Sequence, residues 1–573
     1  MYRQKAHDIL SSSINSAIYI DEKAKDFFSG EPVNTNIPEE NLSINLFNTF
    51  KENGKSLVVH KFEKANIDDE KIINYLFNNK DLILLDWELD EVGGQEYSLN
   101  LLLHAIRLPY INFTCIYSSS SNFNKIPLSF KAYFSGLTKG DFEKISESYE
   151  YIEITDIEHF RKSTNTIEDF FSDNQIKNEE FPIEKCRDYN LDKLLDLITI
   201  GLENEKYFYP KENIDGFEVI DTGDNSFLIN NTLVFTLKKD EEIDNDFSKL
   251  IYRIAEEVIK NESSFFQLLG IEMQSVFNSS EQFIDNTILK SSTEALFNFR
   301  NHINDDKTFG IVIKKLLLEQ ATLKLRTAKL KILQSDFLET HGKTLTNKAN
   351  SKDLVQLNTF YNAVAVKSIT DADILNLNFG DIFIDKASNY YLCITALCDC
   401  YYPDKIDFNY YFVKGAELED IELALMLGDT AFLSYLPNGK VVSWGNIDNP
   451  QLSNIKNIEL EGSKDEPGKL IADIQKLESK TKKLESNLEK LNKFLYRPFY
   501  IKPKVYNVTN NKLIENKLSI WDITNKTKKD GLEQDLNHFE VDYVITLRND
   551  YTQRIANHAF GHPARVGVDF VKK

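Results

Sequence analysis

Over residues 14–160, short and mainly apolar runs alternate with longer stretches whose apolar positions recur every three or four residues. The runs are Ser16-Ala17-Ile18-Tyr19-Ile20, Ser56-Leu57-Val58-Val59, Asp81-Leu82-Ile83-Leu84-Leu85 and Ile111-Asn112-Phe113-Thr114-Cys115-Ile116-Tyr117. Such runs read as parallel strands buried on both faces. Helix signals lie between them, at Leu42 to Phe50, on the face made by Ile72, Ile73, Leu76 and Phe77, and at Leu99 to Ile106. A polar loop from Ser29 to Glu40, with Pro32 and Pro38, follows the first strand. A fifth strand is expected at Tyr149 to Ile154. This βαβαβ order predicts an α/β fold with a doubly wound parallel sheet over residues 1–160.

The pattern changes after a polar, acidic linker, Ser163 to Glu180. Residues 161–350 read as a mainly helical α+β region. One hairpin stands out there, Ser226-Phe227-Leu228-Ile229 and Thr232-Leu233-Val234-Phe235 around Asn230-Asn231. Helices are expected at Leu250 to Ile259, at Phe265 to Val276 and along a run from Ile311 to Phe337. The last carries Lys314, Lys315, Lys324, Arg326, Lys329 and Lys331, which reads first as a solvated face. Residues 351–465 return to short strands, with a turn signal at Asn438-Gly439, and suggest a small SH3-like β-barrel. Over 466–497, Leu470, Ile474, Leu477, Thr481, Leu484, Leu488, Leu491 and Leu495 follow a four-three spacing, a coiled coil that either makes the protein a homodimer through 470–495 or packs on another long helix such as 311–337. A C-terminal α+β segment, 498–573, contributes a strand at Asp542 to Leu547 and a helix at Tyr551 to Phe560.

Composition narrows the function. A net charge of −22 over 573 residues argues against a general nucleic-acid binder, which needs basic surface. No apolar run is long enough to cross a membrane, and no signal-peptide core follows Met1, so the chain is read as cytoplasmic. Five cysteines are too few and too clustered for a disulfide framework.

Ligands of open α/β sheets bind at the carboxyl ends of the strands. There the sequence places Asp21 and Glu22 after the first run, Asp86 after the third, and the hydroxyl cluster Ser118 to Ser121 after the fourth. A carboxylate that attacks phosphorus needs a divalent cation to offset the repulsion of two anions. Asp21 and Glu22 fit the role of Mg²⁺ ligands, Asp86 that of nucleophile and further ligand, and Ser118 that of a hydroxyl donor to phosphoryl oxygens. The Glu88 backbone carbonyl could complete the metal shell.

Through Ile18-Tyr19-Ile20-Asp21-Glu22, Leu82-Ile83-Leu84-Leu85-Asp86 and Cys115-Ile116-Tyr117-Ser118, this quarter of the chain resembles the receiver domains of two-component signalling. It looks closest to the divergent receiver-like domains of bacterial anti-phage defence proteins, which lie beside histidine-kinase-like ATPases. The resemblance implies a phosphoacceptor at Asp86, metal ligands at Asp21, Glu22 and Glu88, and a switch hydroxyl at Ser118. It also implies a histidine-kinase-like ATPase as partner and a regulatory role rather than an enzyme's. Receivers further carry a lysine at the end of the fifth strand. The expected strand ends Glu153-Ile154-Thr155 without one, and Lys139 lies one loop early.

Two other functions compete. A docking scaffold without chemistry is favoured by the missing lysine. A magnesium nuclease or phosphatase would be built on Glu22, Asp86, Glu88 and Asp90. Elsewhere, His558 and His562 are spaced as a possible metal pair, and Cys393, Cys398 and Cys400 with Asp399 as a weak zinc set. On strand alternation, Cys398 and Cys400 would share a face.

Overall fold

The computed structural model describes the chain apart from residues 163–180, 187–190, 211–218, 222–225, 280–289, 365–374, 446–500, 524–527, 534–537 and 562–573, and stretches of four residues or fewer elsewhere. The coiled-coil positions 470–495 and His562 therefore lie outside the described residues. The chain divides into two units, Met1–Thr346 and Asn347–Lys573.

The N-terminal unit is organised by one sheet. Its strands are β1 (Ser16–Asp21), β2 (Ser56–Lys61), β3 (Leu82–Leu85), β4 (Asn112–Ser118), β5 (Val219–Asp221), β6 (Ser226–Ile229) and β7 (Thr232–Lys238). They stand in the order β2-β1-β3-β4-β7-β6-β5. The pairings β1–β2, β1–β3, β3–β4 and β4–β7 are all parallel. This makes a five-stranded doubly wound core in the 2-1-3-4-5 order, extended at one edge by the antiparallel β6 and β5.

Every residue of β3 and β4 is buried, as unalternating apolar runs require. Successive side chains divide between two layers. Ala17 and Tyr19 join Leu46 and Phe50 of α2 (Pro38–Glu52), together with Leu250 and Ile254 of the helix Phe247–Val258. Ile18 and Ile20 face the other way, toward Ile73 and Leu76 of α3 (Glu70–Phe77) and Leu99 and Leu102 of α4 (Gln95–Ile106). A helix ahead of the first strand, α1 (Tyr2–Ser13), buries Ala6, Ile9 and Leu10 in the first layer.

The fifth parallel strand corrects the sequence reading. Tyr149 caps the end of the helix Lys139–Ser148, and Ile154 begins the helix Ile154–Lys162, so no strand forms there. The fifth strand is β7, the second arm of the expected hairpin, whose turn holds Asn230 at φ 52°. Between β4 and β7 the chain inserts helices with a core of their own, including Phe142, Ile145, Leu194 and Ile198. Buried Asp196 ties this insert together through Lys131 and through Arg161 at 2.8 Å. The expected helix from Ile311 to Phe337 is also corrected. It is two helices, Asp306–Thr327 and Ser335–Gly342, with Glu272 accepting from the backbone N–H of Lys331 at 2.7 Å between them. Lys331 Nζ reaches Ser12 Oγ at 2.7 Å, an internal contact.

The C-terminal unit contains a closed six-stranded barrel. Its strands are β8 (Asp381–Ile384), β9 (Tyr390–Cys393), β10 (Asn409–Glu417), β11 (Pro503–Val508), β12 (Lys517–Trp521) and β13 (His538–Leu547). They run in the order β9-β8-β13-β12-β11-β10, and β10 pairs with β9 to close the ring. The segment after residue 498 thus supplies three of the staves. Around the signal at Asn438-Gly439 a hairpin joins Leu433–Tyr435 to Val441–Ser443 and pairs with β10. Cys398 and Cys400 lie on a short helix, Leu397–Tyr401, rather than a strand. Cys398 is exposed and Cys400 buried, so they do not share a face.

Candidate functional site

The parallel register brings the carboxyl ends of β1, β3, β4 and β7 to one edge. Ile20 pairs with Leu85, Leu85 with Ile116, and Ser118 with Lys238. Asp21, Asp86, Ser118 and Lys239 each stand at or one residue past a strand end on that edge. The Asp86 N–H donates to Ile20 O at 2.9 Å, and the Lys239 N–H to Ser118 O at 3.0 Å, which fixes the loop starts to neighbouring strands. Beyond β3, Ser98 Oγ donates to the carbonyls of Asp86 and Trp87 at 2.7 and 2.9 Å. The same loop uses Gly94 at φ +87°. A Cβ there would come within 2.4 Å of the Asp90 nitrogen.

Lys239 sits between two buried carboxylates. Its Nζ lies 2.6 Å from Asp21 Oδ2 and 3.3 Å from Asp86 Oδ1. Asp21 is further held by the Tyr19 hydroxyl, which donates to Oδ2 at 2.6 Å, and by the Lys23 N–H, which donates to Oδ1 at 2.7 Å. Asp86 accepts from the Trp87 N–H at 2.8 Å. One ligand atom from each of Asp21, Glu22 and Asp86 lies within 4.8 Å of the others, the one such acidic, histidine or cysteine group of three or more among the described residues.

The electrostatics of this trio favour a cation. Burial raises the Asp86 pKa to about 7, against the pull of Lys239 and with the push of Asp21 and Glu22. Burial and the Asp21 charge also raise Glu22. Burial works against the Lys239 ammonium, yet Asp86 and Asp21 outweigh it and hold its pKa above the usual lysine range. Glu22 Oε2 is buried and accepts no hydrogen bond. Two acids whose ionised form is disfavoured, with an orphaned oxygen beside neighbours of like charge, fit a hard divalent cation that takes oxygen ligands.

A pH dependence follows. A native carboxyl raised above its unfolded value binds a proton that the unfolded chain has released. Asp86 therefore makes the metal-free unit more stable as pH falls from 8 toward 6, by at most ~1.4 kcal/mol per pH unit for one proton. Urea unfolding in EDTA checks this. Added Mg²⁺ should raise stability at pH 8 and flatten the slope.

The remaining sequence candidates fall on either side. Ser118 is on the edge, buried, and its Oγ accepts from the Ser120 N–H at 3.1 Å. The Glu88 carboxylate accepts from Ser120 Oγ at 2.8 Å. Asp90 pairs with Lys64 at 3.0 Å in solvent. The nuclease-type set Glu22, Asp86, Glu88 and Asp90 is thus not assembled. Lys139 pairs with Glu205 at 3.5 Å, away from the edge. His558 packs on the Phe432 ring at 4.4 Å. The residue that sequence reasoning missed is Lys239. The hairpin Ser226 to Phe235 was visible, but the lysines ending its second arm carry no mark of the strand it joins.

The response receiver domain family matches residues 13–168. No curated protein and no solved structure matches the chain. The N-terminal domain is receiver-like, and the family match stops well before Lys239. Among the described residues no helix is long and apolar enough to cross a membrane.

Proposed function

We propose that the N-terminal unit is a phosphoacceptor switch in which Asp86 receives the phosphoryl group. The observation that supports this most is Lys239. It comes from the far side of an inserted domain, 153 positions after Asp86 (239 − 86), and still bridges Asp86 and Asp21. Its presence answers the missing lysine, the feature that favoured the competing reading of a silent docking surface.

In this reading Asp21, Glu22 and Asp86 would hold Mg²⁺, and the ion would supply the positive charge that two anions need to approach. Asp86 Oδ attacks the phosphorus of a phosphohistidine as its P–N bond breaks, and the imidazole leaves with the electron pair and takes up a proton. Lys239 neutralises the incoming oxygens as its bond to Asp86 is given up, and Asp21, kept in place by Tyr19 and the Lys23 N–H, retains its position. Ser118 Oγ accepts from the Ser120 N–H and keeps its own O–H free to donate to the phosphoryl group. The donor is a phosphohistidine protein of the histidine-kinase-like ATPase kind, and the role is regulatory rather than enzymatic. Service in anti-phage defence and dimerisation through 470–495 belong to the same proposal.

Trp87 offers a direct test. It follows Asp86 and is 4% exposed. Adding Mg²⁺ to metal-free protein should change tryptophan emission saturably, and beryllofluoride should change it further. Unchanged emission at millimolar Mg²⁺, with calorimetry also flat, would refute the metal-dependent switch.

A further inference from the structure

The C-terminal barrel has a mouth that the switch does not use. The β8–β9 turn, the start of β11, the end of β12 and the start of β13 meet at one rim around a cavity of about 1070 Å³. Barrel mouths are frequent ligand sites, and this volume is at the upper end for small-molecule pockets.

Its floor is aromatic. Tyr391 lies 5.7 Å from Tyr506 and 5.6 Å from Phe539, ring centre to ring centre. Phe539 is half-buried, and His538 is exposed and stacked on Trp521 at 5.3 Å with 24° between planes. Flat rings therefore line the cavity from its floor to its edge.

Its walls are basic, in a chain of net charge −22. Lys386, Lys414, Lys502 and Lys504 line it beside Asp385, Asp522 and Glu540. Two of these acids are already engaged. Asp385 accepts from the backbone N–H groups of Ala387 and Asn389 at 2.8 and 2.9 Å and from the Tyr391 hydroxyl at 2.9 Å, and its pKa is lowered by these bonds in spite of burial. Asp522 pairs with Lys504. Lys386, Lys414 and Lys502 have no acidic partner among the described residues and are exposed.

We infer that this barrel mouth binds a free nucleotide, with the base against the accessible rings of Phe539 and His538 over the buried Tyr391 and Tyr506, and the phosphates among Lys386, Lys414 and Lys502. Rings accept the face of any base, and ammonium groups accept phosphate as point charges. The acidity of the rest of the chain repels a long polyanion, which favours the free nucleotide over a nucleic-acid strand.

The test is titration calorimetry of the full chain with ATP in EDTA, which keeps the Asp86 site metal-free. A short single-stranded oligothymidylate forms the second arm. ATP is expected to bind in the micromolar range. The exposed double variant Lys414→Glu, Lys502→Glu, with an unchanged melting profile, should weaken it by at least about tenfold. No binding up to millimolar ATP, the same affinity in the double variant, or binding of the oligonucleotide alone would overturn the inference.

Discussion

Lys239→Ala is expected to destabilise the N-terminal unit by about 2–4 kcal/mol at pH 8 in EDTA, the range for removing one partner of a buried ion pair when the other can take up a proton. The side chain is 7% exposed and faces Asp21 and Asp86, themselves almost fully buried. Without the ammonium, two buried carboxylates and the partly buried Glu22 face one another. The loss should shrink as pH falls toward 6. Asp86, already raised to about 7 with Lys239 present, then binds its proton and the repulsion is relieved. Mg²⁺ should also offset part of the loss. Urea denaturation at pH 8 and pH 6, with and without the metal, resolves both effects. A loss that ignores pH and metal would mean Lys239 acts only as packing.

Asp86→Asn should act in the opposite direction on stability while abolishing the chemistry. Asparagine is isosteric and keeps an oxygen that can accept from the Trp87 N–H, but it places no charge in a site where burial and two like charges oppose one. Metal-free Asp86→Asn is therefore expected to be more stable than wild type at pH 8 by about 1–3 kcal/mol. Its advantage should fade by pH 6, where wild-type Asp86 is mostly protonated. Mg²⁺ should stabilise it far less than wild type, because one of three ligands has lost its charge. Lys239 keeps Asp21, so the loop after β7 should stay in place. Equal stability of the two proteins at pH 8 would show that Asp86 is not under electrostatic stress.

How much of this could be read from the chain follows from the range of each signal. Ile18 to Glu22, Leu82 to Asp86 and Ile116 to Ser118 are local patterns, an apolar run that ends in a polar side chain, and each stands at the expected strand end. The site's fourth member depends on a pairing over long sequence distance. Thr232 to Lys238 reads equally well as half of an independent hairpin. Only its burial between β4 and β6 makes it the fifth parallel strand and sends Lys239 to Asp21. Tyr149 to Ile154 has strand composition but lies in the inserted helical body, where Tyr149 and Ile152 are buried against Phe181 and its neighbours. The same limit hid the barrel's closure. Strands 381–417 carry the alternation of a small barrel, while the staves that complete it lie beyond residue 500.

The most direct test of the central claim is intact-mass measurement after incubation with acetyl phosphate and Mg²⁺, comparing wild type with Asp86→Asn. The account predicts one phosphoryl adduct on wild type, absent in EDTA and absent from the variant. An adduct of equal yield on Asp86→Asn, or none on wild type that demonstrably binds Mg²⁺, would contradict it.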